Sequence, residues 1–448
     1  MRHFSDEELA AYRFDPEQFD KREELERHLA ECAACADIVT AITEFDESLG
    51  SEEAWHFAEE LVTGARQAEL NRIKERRARE DEKATRLLRR LVDDPFELLW
   101  ADIPRKARFR TGGVVRVLCG ASERWVEVNP LHALNLAEAA ASVASALPDD
   151  LYPARAVEQL RGLAWKQRAN ACRYLGRLSA ALDSIDRAER AYSKLLVNAQ
   201  ELASVRYVRG TILWKFQRFD EALAAARESA RGFAEQRDHT RWLHAKILEG
   251  SILCDAGALH DARELFGLLK TEAEAVNNLL TAARVANNNG WVAYLSGDYG
   301  GAAIEYVFAL QLFEQLNAHT EAIRVRWNLG VLAVASSNGP EAINRLKAAI
   351  AELKSEGMLT DAALATLDLA EAYLSSGDSR AAERCCREVF DVLSVAKIVP
   401  AAMTAAAFLH QAAQSGKLTR AAIRYVRQFC ERAESDASLE FLPPPGTA

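Results

Sequence analysis

One alanine returns through most of this chain at an interval that hardly varies. It stands at Ala181, Ala222, Ala262, Ala302, Ala342, Ala382 and Ala421, with steps of 41, 40, 40, 40, 40 and 39 residues. So regular a period excludes a single globular core and calls for a stack of structural units, each burying its apolar face against the next. Around the alanine the units agree in detail. A small residue precedes it (Gly210, Gly250, Gly290, Gly330, Ala370), where two helix faces must approach closely. A turn follows that often holds glycine, as in Ala256-Gly257-Ala258, Ser296-Gly297-Asp298 and Ser376-Gly377-Asp378. After the alanine comes an apolar site such as Phe266, Tyr306 or Leu346. The flanking segments carry helical periodicity, so each unit reads as a pair of helices.

This arrangement resembles the tetratricopeptide repeat family, in a longer-helix form with a 40-residue period in place of 34. The resemblance covers most of residues 161–430 and implies an all-α solenoid of about seven helix pairs. In that family the first helix of each pair lines a concave groove. The residues so placed here are Lys166, Asn170, Tyr207, Trp214, Arg284, Asn287, Trp291, Tyr294, Arg324 and Trp327. Aromatic and arginine side chains are the usual anchors of a protein-binding surface, although the tryptophans could equally pack between neighbouring repeats. Lys166 and Asn170 match the first half of a carboxylate clamp known in the family. Val208 stands where its second asparagine belongs, which argues against a clamp.

The net charge of −10 is unevenly spread. Residues 1–60 hold 5 basic and 18 acidic side chains, leaving the rest of the chain slightly basic at +3. An acidic head opposes nucleic-acid binding, which needs a basic footprint, and suits a basic or apolar protein surface. No phosphate loop, nucleophile elbow, kinase signature or HExxH zinc motif occurs, so no enzyme is expected. No apolar run nears the ~20 residues that span a bilayer. The opening MRHFSDEELAAY has no apolar signal core, and the expectation is a cytoplasmic protein. Four of the eight cysteines sit singly in helical patterns, as reduced thiols do; Cys385 and Cys386 are adjacent and read as buried free thiols.

The head has chemistry of its own. Ser5 and Glu8 have capping-box spacing, so a helix should begin near residue 6. Asp15-Pro16-Glu17 should open a second, with proline at its first position. That second helix is expected to carry His28, Cys32 and Cys35 within ~60° of one another on one face. An imidazole and two thiolates converging there suit zinc, and a tetrahedral site needs one more donor. His3, just ahead of the first helix, is the candidate. So short and charged a domain needs such a staple to fold.

The segments His3-Phe-Ser-Asp-Glu-Glu-Leu-Ala-Ala-Tyr12 and Leu25-Glu-Arg-His28-Leu-Ala-Glu-Cys32-Ala-Ala-Cys35 resemble the zinc-binding anti-sigma domain family of bacteria. The resemblance spans about the first 60 residues. It implies one zinc held by His3, His28, Cys32 and Cys35, and a partner that is an alternative sigma factor whose polymerase-binding surfaces the domain masks. Arg13-Phe-Asp-Pro16 replaces the family's usual acidic-glycine turn. Redox-sensing members carry cysteine at the upstream ligand site; His3 cannot form a disulfide, which favours a structural zinc. The expected function is a bacterial cytoplasmic regulator whose head captures a sigma factor while the solenoid senses a second protein or peptide. The alternative is an adaptor in which zinc only folds the head.

The organisation expected is therefore a zinc-binding helical domain at 1–60, a charged helical linker at 61–105, a degenerate capping helix pair at 106–150, the repeat array at 151–432 and a disordered tail at 433–448. Glu75–Arg79 and Glu82–Arg86 are i,i+4 pairs that support an exposed linker helix, either a solvated spacer or a segment that wraps a partner.

Overall fold

The structure is a computed structural model that describes residues 3–14, 16–17, 19–48, 71–89, 92–93, 103, 106–148, 150–195, 199–395, 400–435 and 439–444. Among these residues it is all-helical, with no strand. The chain divides into two compact units, Met1–Arg79 and Glu80–Ala448.

The first unit holds α1 (Asp6–Phe14), α2 (Arg22–Glu31) and α3 (Ala33–Ser48). A reciprocal capping box starts α1: Glu8 N donates to Ser5 Oγ at 3.2 Å and Ser5 N donates to Glu8 Oε2 at 3.0 Å. The Ser5 backbone N–H holds the Glu8 carboxyl below its usual range. Contrary to the expectation from sequence, Pro16 does not open the second helix; residues 16 and 17 form a turn and α2 begins at Arg22. Nor do His28, Cys32 and Cys35 share a helix. The chain breaks at Cys32, which is extended (φ −122, ψ 95), and α3 begins at once. The reason is metric. On a straight helix Cys35 lies about 10 Å along the axis from His28, too far for both to reach one ion, and the break folds that distance back. Leu9, Leu25 and Cys35 form the small buried core.

Residues 71–88 form α4. Its ion pairs Glu75–Arg79 and Glu82–Arg86 are present, but the segment from Glu80 onward is not a solvated spacer. Ala84, Leu88 and Val92 are buried with Ile103, Val115 and Leu118. Arg116 bonds Asp81 at 2.7 Å and Glu80 at 3.2 Å, and Tyr152 Oη donates to Glu80 Oε1 at 3.1 Å. A Cβ on Gly113 would meet the Glu80 carbonyl oxygen at 2.5 Å, so only glycine admits this approach. The capping pair follows as α5 (Gly112–Trp125), capped by Thr111, and α6 (Pro130–Ser145), capped by Asn129 with proline at its start.

Seven helix pairs complete the array: α7 (Ala154–Tyr174) with α8 (Leu178–Ser193), α9 (Ala199–Lys215) with α10 (Phe219–Glu235), α11 (His239–Asp255) with α12 (Leu259–Ala275), α13 (Leu279–Leu295) with α14 (Tyr299–Gln315), α15 (His319–Ala335) with α16 (Gly339–Ser355), α17 (Leu359–Ser375) with α18 (Ser379–Val395), and α19 (Pro400–Gln414) with α20 (Arg420–Ser435). From α9 to α18 every helix has 17 residues. Between α9 and α18 the chain turns in three residues through one left-handed position, at Gln217, Arg237, Gly257, Asn277, Gly297, Asn317, Ser337, Gly357 and Gly377. The backbone period is thus 20, twice the frequency of the alanine signal.

The recurring sites pack on one another within each pair. A Cβ on Gly250 would come within 2.6 Å of the Phe266 ring, one on Gly290 within 2.8 Å of Tyr306, and one on Gly330 within 2.8 Å of Leu346. Ala181, Ala222, Ala262, Ala302, Ala342 and Ala382 are fully enclosed. The seventh copy differs. Ala421 is exposed, and Ile423, whose N–H reaches the Thr419 carbonyl as Ala382 reaches that of Asp378, fills the buried site. The tail is also not wholly disordered as expected: Phe441 lies against Phe408, Tyr425 and Phe429, and Tyr425 Oη donates to the Leu442 carbonyl at 2.9 Å.

Candidate metal centre and solenoid groove

The four donors singled out in the head come together. The ligand atoms of His3, His28, Cys32 and Cys35 all lie within 4.8 Å of one another. The capping box at Ser5 fixes the start of α1 and so the position of His3 just ahead of it. Helix α2 supplies His28 from its last turn, the break supplies Cys32, and α3 supplies Cys35. His3 Nδ1 stands 3.5 Å from Cys32 Sγ and 3.5 Å from Cys35 Sγ. A single ring nitrogen has one proton or one lone pair, so it cannot serve two thiols equally as a hydrogen-bond partner. A tetrahedral ion with bonds of about 2.0 Å to nitrogen and 2.3 Å to sulfur places them about 3.5 Å apart. His28 Nε2 is buried and makes no hydrogen bond, a costly arrangement for an imidazole nitrogen unless it is a ligand. The cluster can therefore hold a metal ion. Two nitrogens and two sulfurs with no carboxylate select a soft or borderline metal over calcium or magnesium. Four protein donors complete a tetrahedron and leave no open position for chemistry.

In the array, first helices of four successive pairs meet at a cavity of about 320 Å³. Its walls include Trp214, Asp255, Asn287, Trp291 and Trp327, closed from the other side by Arg427 and Glu431 of α20. An adjoining compartment of about 330 Å³ shares Trp291, Arg427 and Glu431 and adds Tyr294, Asp368, Glu371 and Arg424. Helices so distant in the chain can share a cavity only on the inner face of a curved stack.

Of the ten groove residues expected from sequence, Trp214, Asn287, Trp291, Tyr294 and Trp327 line these compartments. Trp291 and Tyr294 stack at 5.0 Å between ring centroids. Asn328 Nδ2 donates to Asn287 Oδ1 at 3.0 Å. The other five lie elsewhere. Arg284 pairs with Glu321 at 2.9 Å and Arg324 with Asp361 at 3.1 Å, each tying one first helix to the next. Tyr207 packs against the buried cluster that includes Leu213, Ala226 and Leu248. Lys166 Nζ donates to Ser204 Oγ at 3.2 Å, and burial pulls its ammonium below the usual lysine range. Asn170 accepts from Arg173. Neither residue lines the two compartments, and Val208 still stands where the second asparagine of a clamp belongs.

Sequence reasoning passed over the acids and arginines of the site. Arg427 is ion-paired with Asp368, its Nε standing 2.7 Å from Oδ1, and Arg420 and Arg424 both bond Glu371. Burial pushes the Asp368 carboxyl up to about 6, against the pull of Arg427 and of the Trp327 N–H. The available signal was the spacing of Arg420, Arg424 and Arg427, which places three guanidinium groups on one face of the last helix. The adjacent thiols Cys385 and Cys386 are buried and free, and burial pushes both up to about 12. They belong to the core.

No known family model matches the chain, and no curated protein matches it in sequence. Solved structures do. Aspartyl phosphate phosphatase F from Bacillus subtilis aligns over 82% of this chain and 97% of its own, with 14% identity and a TM-score of 0.51. A signal-transduction ATPase with a tetratricopeptide repeat sensor from Pyrococcus horikoshii aligns over 79% of this chain and 52% of its own, with 11% identity and a TM-score of 0.49. The apo form of the quorum sensor NprR from B. thuringiensis aligns over 72% of this chain and 99% of its own, with 13% identity and a TM-score of 0.44. At such identities the likeness concerns the fold alone. Among the described residues no helix is long and apolar enough to cross a membrane. The chain is an all-α protein with a tetratricopeptide-repeat-like solenoid and a His/Cys cluster at its head that can hold a metal ion.

Proposed function

We propose that this chain is a non-catalytic regulatory protein of the bacterial cytoplasm, in which a zinc-stapled head engages one protein and the solenoid groove receives another. The observation that carries the reading is the closed four-donor set of His3, His28, Cys32 and Cys35, in the same order and spacing as the anti-sigma domains that the head resembles. A closed tetrahedral site gives structure and not reactivity, so the head acts through its surface. With 18 acidic side chains against 5 basic ones, that surface favours a basic protein partner over nucleic acid. An alternative sigma factor is the partner the resemblance implies. The groove, walled by tryptophans and charged groups, has the composition of a peptide- or protein-binding surface. Coupling between the two units requires that the groove ligand bind the partner-engaged and partner-free forms with different affinity.

Co-purification from a native bacterium under mild reducing conditions tests the reading. A sigma factor should be recovered with the full chain and lost when residues 1–60 are deleted. If partner binding survives that deletion and no sigma factor is found, the protein is an adaptor whose zinc only folds the head.

A further inference from the structure

The second helices α10, α12, α14, α16 and α18 form the outer face of the array. They start 40 residues apart, so each outward position on one helix can be compared with its equivalents on the others. On α14 the outward positions are Gly300, Ile304, Val307, Phe308 and Gln311, which fall on one helical stripe. At the same positions α18 carries Arg380, Arg384, Arg387, Glu388 and Asp391, all of them charged. On α10 four of the five are charged: Asp220, Arg227, Glu228 and Arg231, with Ala224 the exception. On α12 the one formal charge is Glu264, on α16 it is Lys347, and α14 has none. Every one of these positions is exposed except Phe308, which is half-buried. Ile304 is 71% exposed, and Leu268 of α12 is 65% exposed. The fold accepts charge at these sites, as α10 and α18 show, so packing within the chain does not call for the apolar residues of the middle. An apolar centre with a charged rim is the anatomy of a protein interface.

Charge and shape indicate what covers that centre. Several charged groups near it are matched within the chain. Arg263 pairs with Asp298 at 2.6 Å, Lys270 with Glu305 at 2.8 Å and Arg345 with Glu341 at 2.8 Å. Glu264 and Lys347 differ, for neither is in an ion pair among the described residues. Lys347 is held only by the Tyr373 ring, 5.6 Å away. The two stand on the helices either side of α14, offset by three positions in the repeat, or about 4.5 Å along the helix axis. A two-fold axis along α14 lays α12 of one copy over α16 of the other and sets Glu264 opposite Lys347 twice. A two-fold axis across α14 would lay like charge over like. The second helices lie on the convex side of the curved stack, and two convex faces touch only over their middle, where the charge disappears. Helix α14 has 17 residues and is about 25 Å long; three such helices, each about 10 Å wide, present roughly 750 Å². Each partner in a standard interface contributes about 800 Å².

We propose that the outer face of α12, α14 and α16 is the interface of a homodimer whose two-fold axis runs along α14. Ile304 and Val307 of both copies meet at its centre, and Glu264 of one copy pairs with Lys347 of the other on each side. The inference concerns the outer face alone and is independent of the proposed roles of the head and the groove.

Sedimentation equilibrium of the full chain tests the interface. A monomer–dimer equilibrium with a Kd of roughly 1–100 µM is expected. Ile304→Arg and Val307→Arg copy the residues that α18 carries at the same positions, so each should keep the wild-type urea midpoint. Each should weaken the dimer by at least about tenfold. Ala224→Arg, the equivalent of Ile304→Arg on α10, should leave the Kd unchanged. Should an arginine variant lose its urea midpoint, Ile304→Asn takes its place, since α16 carries Asn344 there. Glu264→Lys and Lys347→Glu should each weaken the dimer by setting like charges face to face, and the double exchange should restore it to within about threefold of wild type. A chain that stays monomeric up to about 200 µM would overturn the interface. So would a dimer indifferent to the changes at Ile304 and Val307, which would show that it forms through another surface. Single charge exchanges without effect, or a double exchange that fails to recover, would overturn the two-fold axis along α14.

Discussion

Replacing Cys35 by serine tests whether a metal holds the head together. The side chain is 2% exposed and belongs to a core whose fully buried apolar members are Leu9, Leu25 and Cys35 itself. Burying a leucine stabilises by about 2–3 kcal/mol, so the two leucines together contribute about 5 kcal/mol before any loss of chain entropy. A structural zinc supplies on the order of 10 kcal/mol or more through four donors, which makes it the larger contribution in so small a unit. Losing one donor of four should remove about a quarter of that, weakening zinc by roughly a hundredfold. The same change also leaves His28 Nε2 buried without a partner. The expected result is one zinc per wild-type chain by mass spectrometry of metals, lost from Cys35→Ser on dialysis against a mild chelator. Hydrogen exchange of the α2 amides should then accelerate to near the unfolded rate, while amides of α9–α18 keep their protection. Wild-type protein stripped by a strong chelator should behave as the variant does, and zinc should restore it. A head that stays protected without metal would refute the reasoning, because its apolar core would then suffice.

Three further outcomes follow from the array. Gly290→Ala drives a Cβ to 2.8 Å from the enclosed Tyr306 ring; overpacking of about 1–3 kcal/mol should outweigh the helix-propensity gain of about 1 kcal/mol, whereas Gly267→Ala, with open space around it, should stabilise, both read from urea midpoints. Arg427→Ala leaves Asp368 buried without its cation and should cost about 3 kcal/mol or more, with Arg427→Lys recovering only part because a guanidinium fits the Trp327–Asp368 pair and an ammonium does not. The Asp368 carboxyl stands at about 6 in the fold against an ordinary 3.8, so the fold holds its proton more tightly than the unfolded chain does. That contribution of about 3 kcal/mol is complete below about pH 4 and is lost as pH rises through 6. The stability of wild type minus that of Asp368→Asn should therefore fall between pH 4 and 7, and a rise would mean that Arg427 outweighs burial.

Much of the array is legible because its packing repeats. Each buried alanine needs a close neighbour and each glycine admits one particular ring or leucine, so the pattern Gly290, Ala302, Tyr306 states a contact and not only a frequency. The 20-residue period of the backbone stays hidden because five of its nine turns place Gln217, Arg237, Asn277, Asn317 or Ser337 in the left-handed region, where glycine is the expected signal. These are polar residues that tolerate the conformation at modest cost, and nothing in their spacing marks them apart from neighbouring surface positions. At the last pair the register slips for a similar reason. With two alanines adjacent, periodicity alone cannot tell which one is inside, and it is Ile423 that takes the site.

The two candidate sites differ in how sequence could reveal them. The four candidate donors are close in the chain and chemically unlike their surroundings, so the cluster they form was legible even though the geometry joining them was not. One helix was expected, but the chain breaks at Cys32, and it is that break which brings four donors closer together than a straight helix can. The groove is the opposite case. Its tryptophans are conspicuous, but what they do is decided by carboxylates 41 residues away and by arginines on α20, the last helix of the array. Acids and arginines are common on helix surfaces, where solvent makes their pairing weak. Only the curvature of the stack, which brings α9, α15, α17 and α20 around one space, sets Asp368, Glu371 and Arg427 facing inward. A solenoid's specificity therefore depends on residues that are ordinary in sequence and become selective through the superhelix. The Trp–Asp pair recurs at Trp214–Asp255 and at Trp327–Asp368, and at the second it holds the array's own final helix through Arg427.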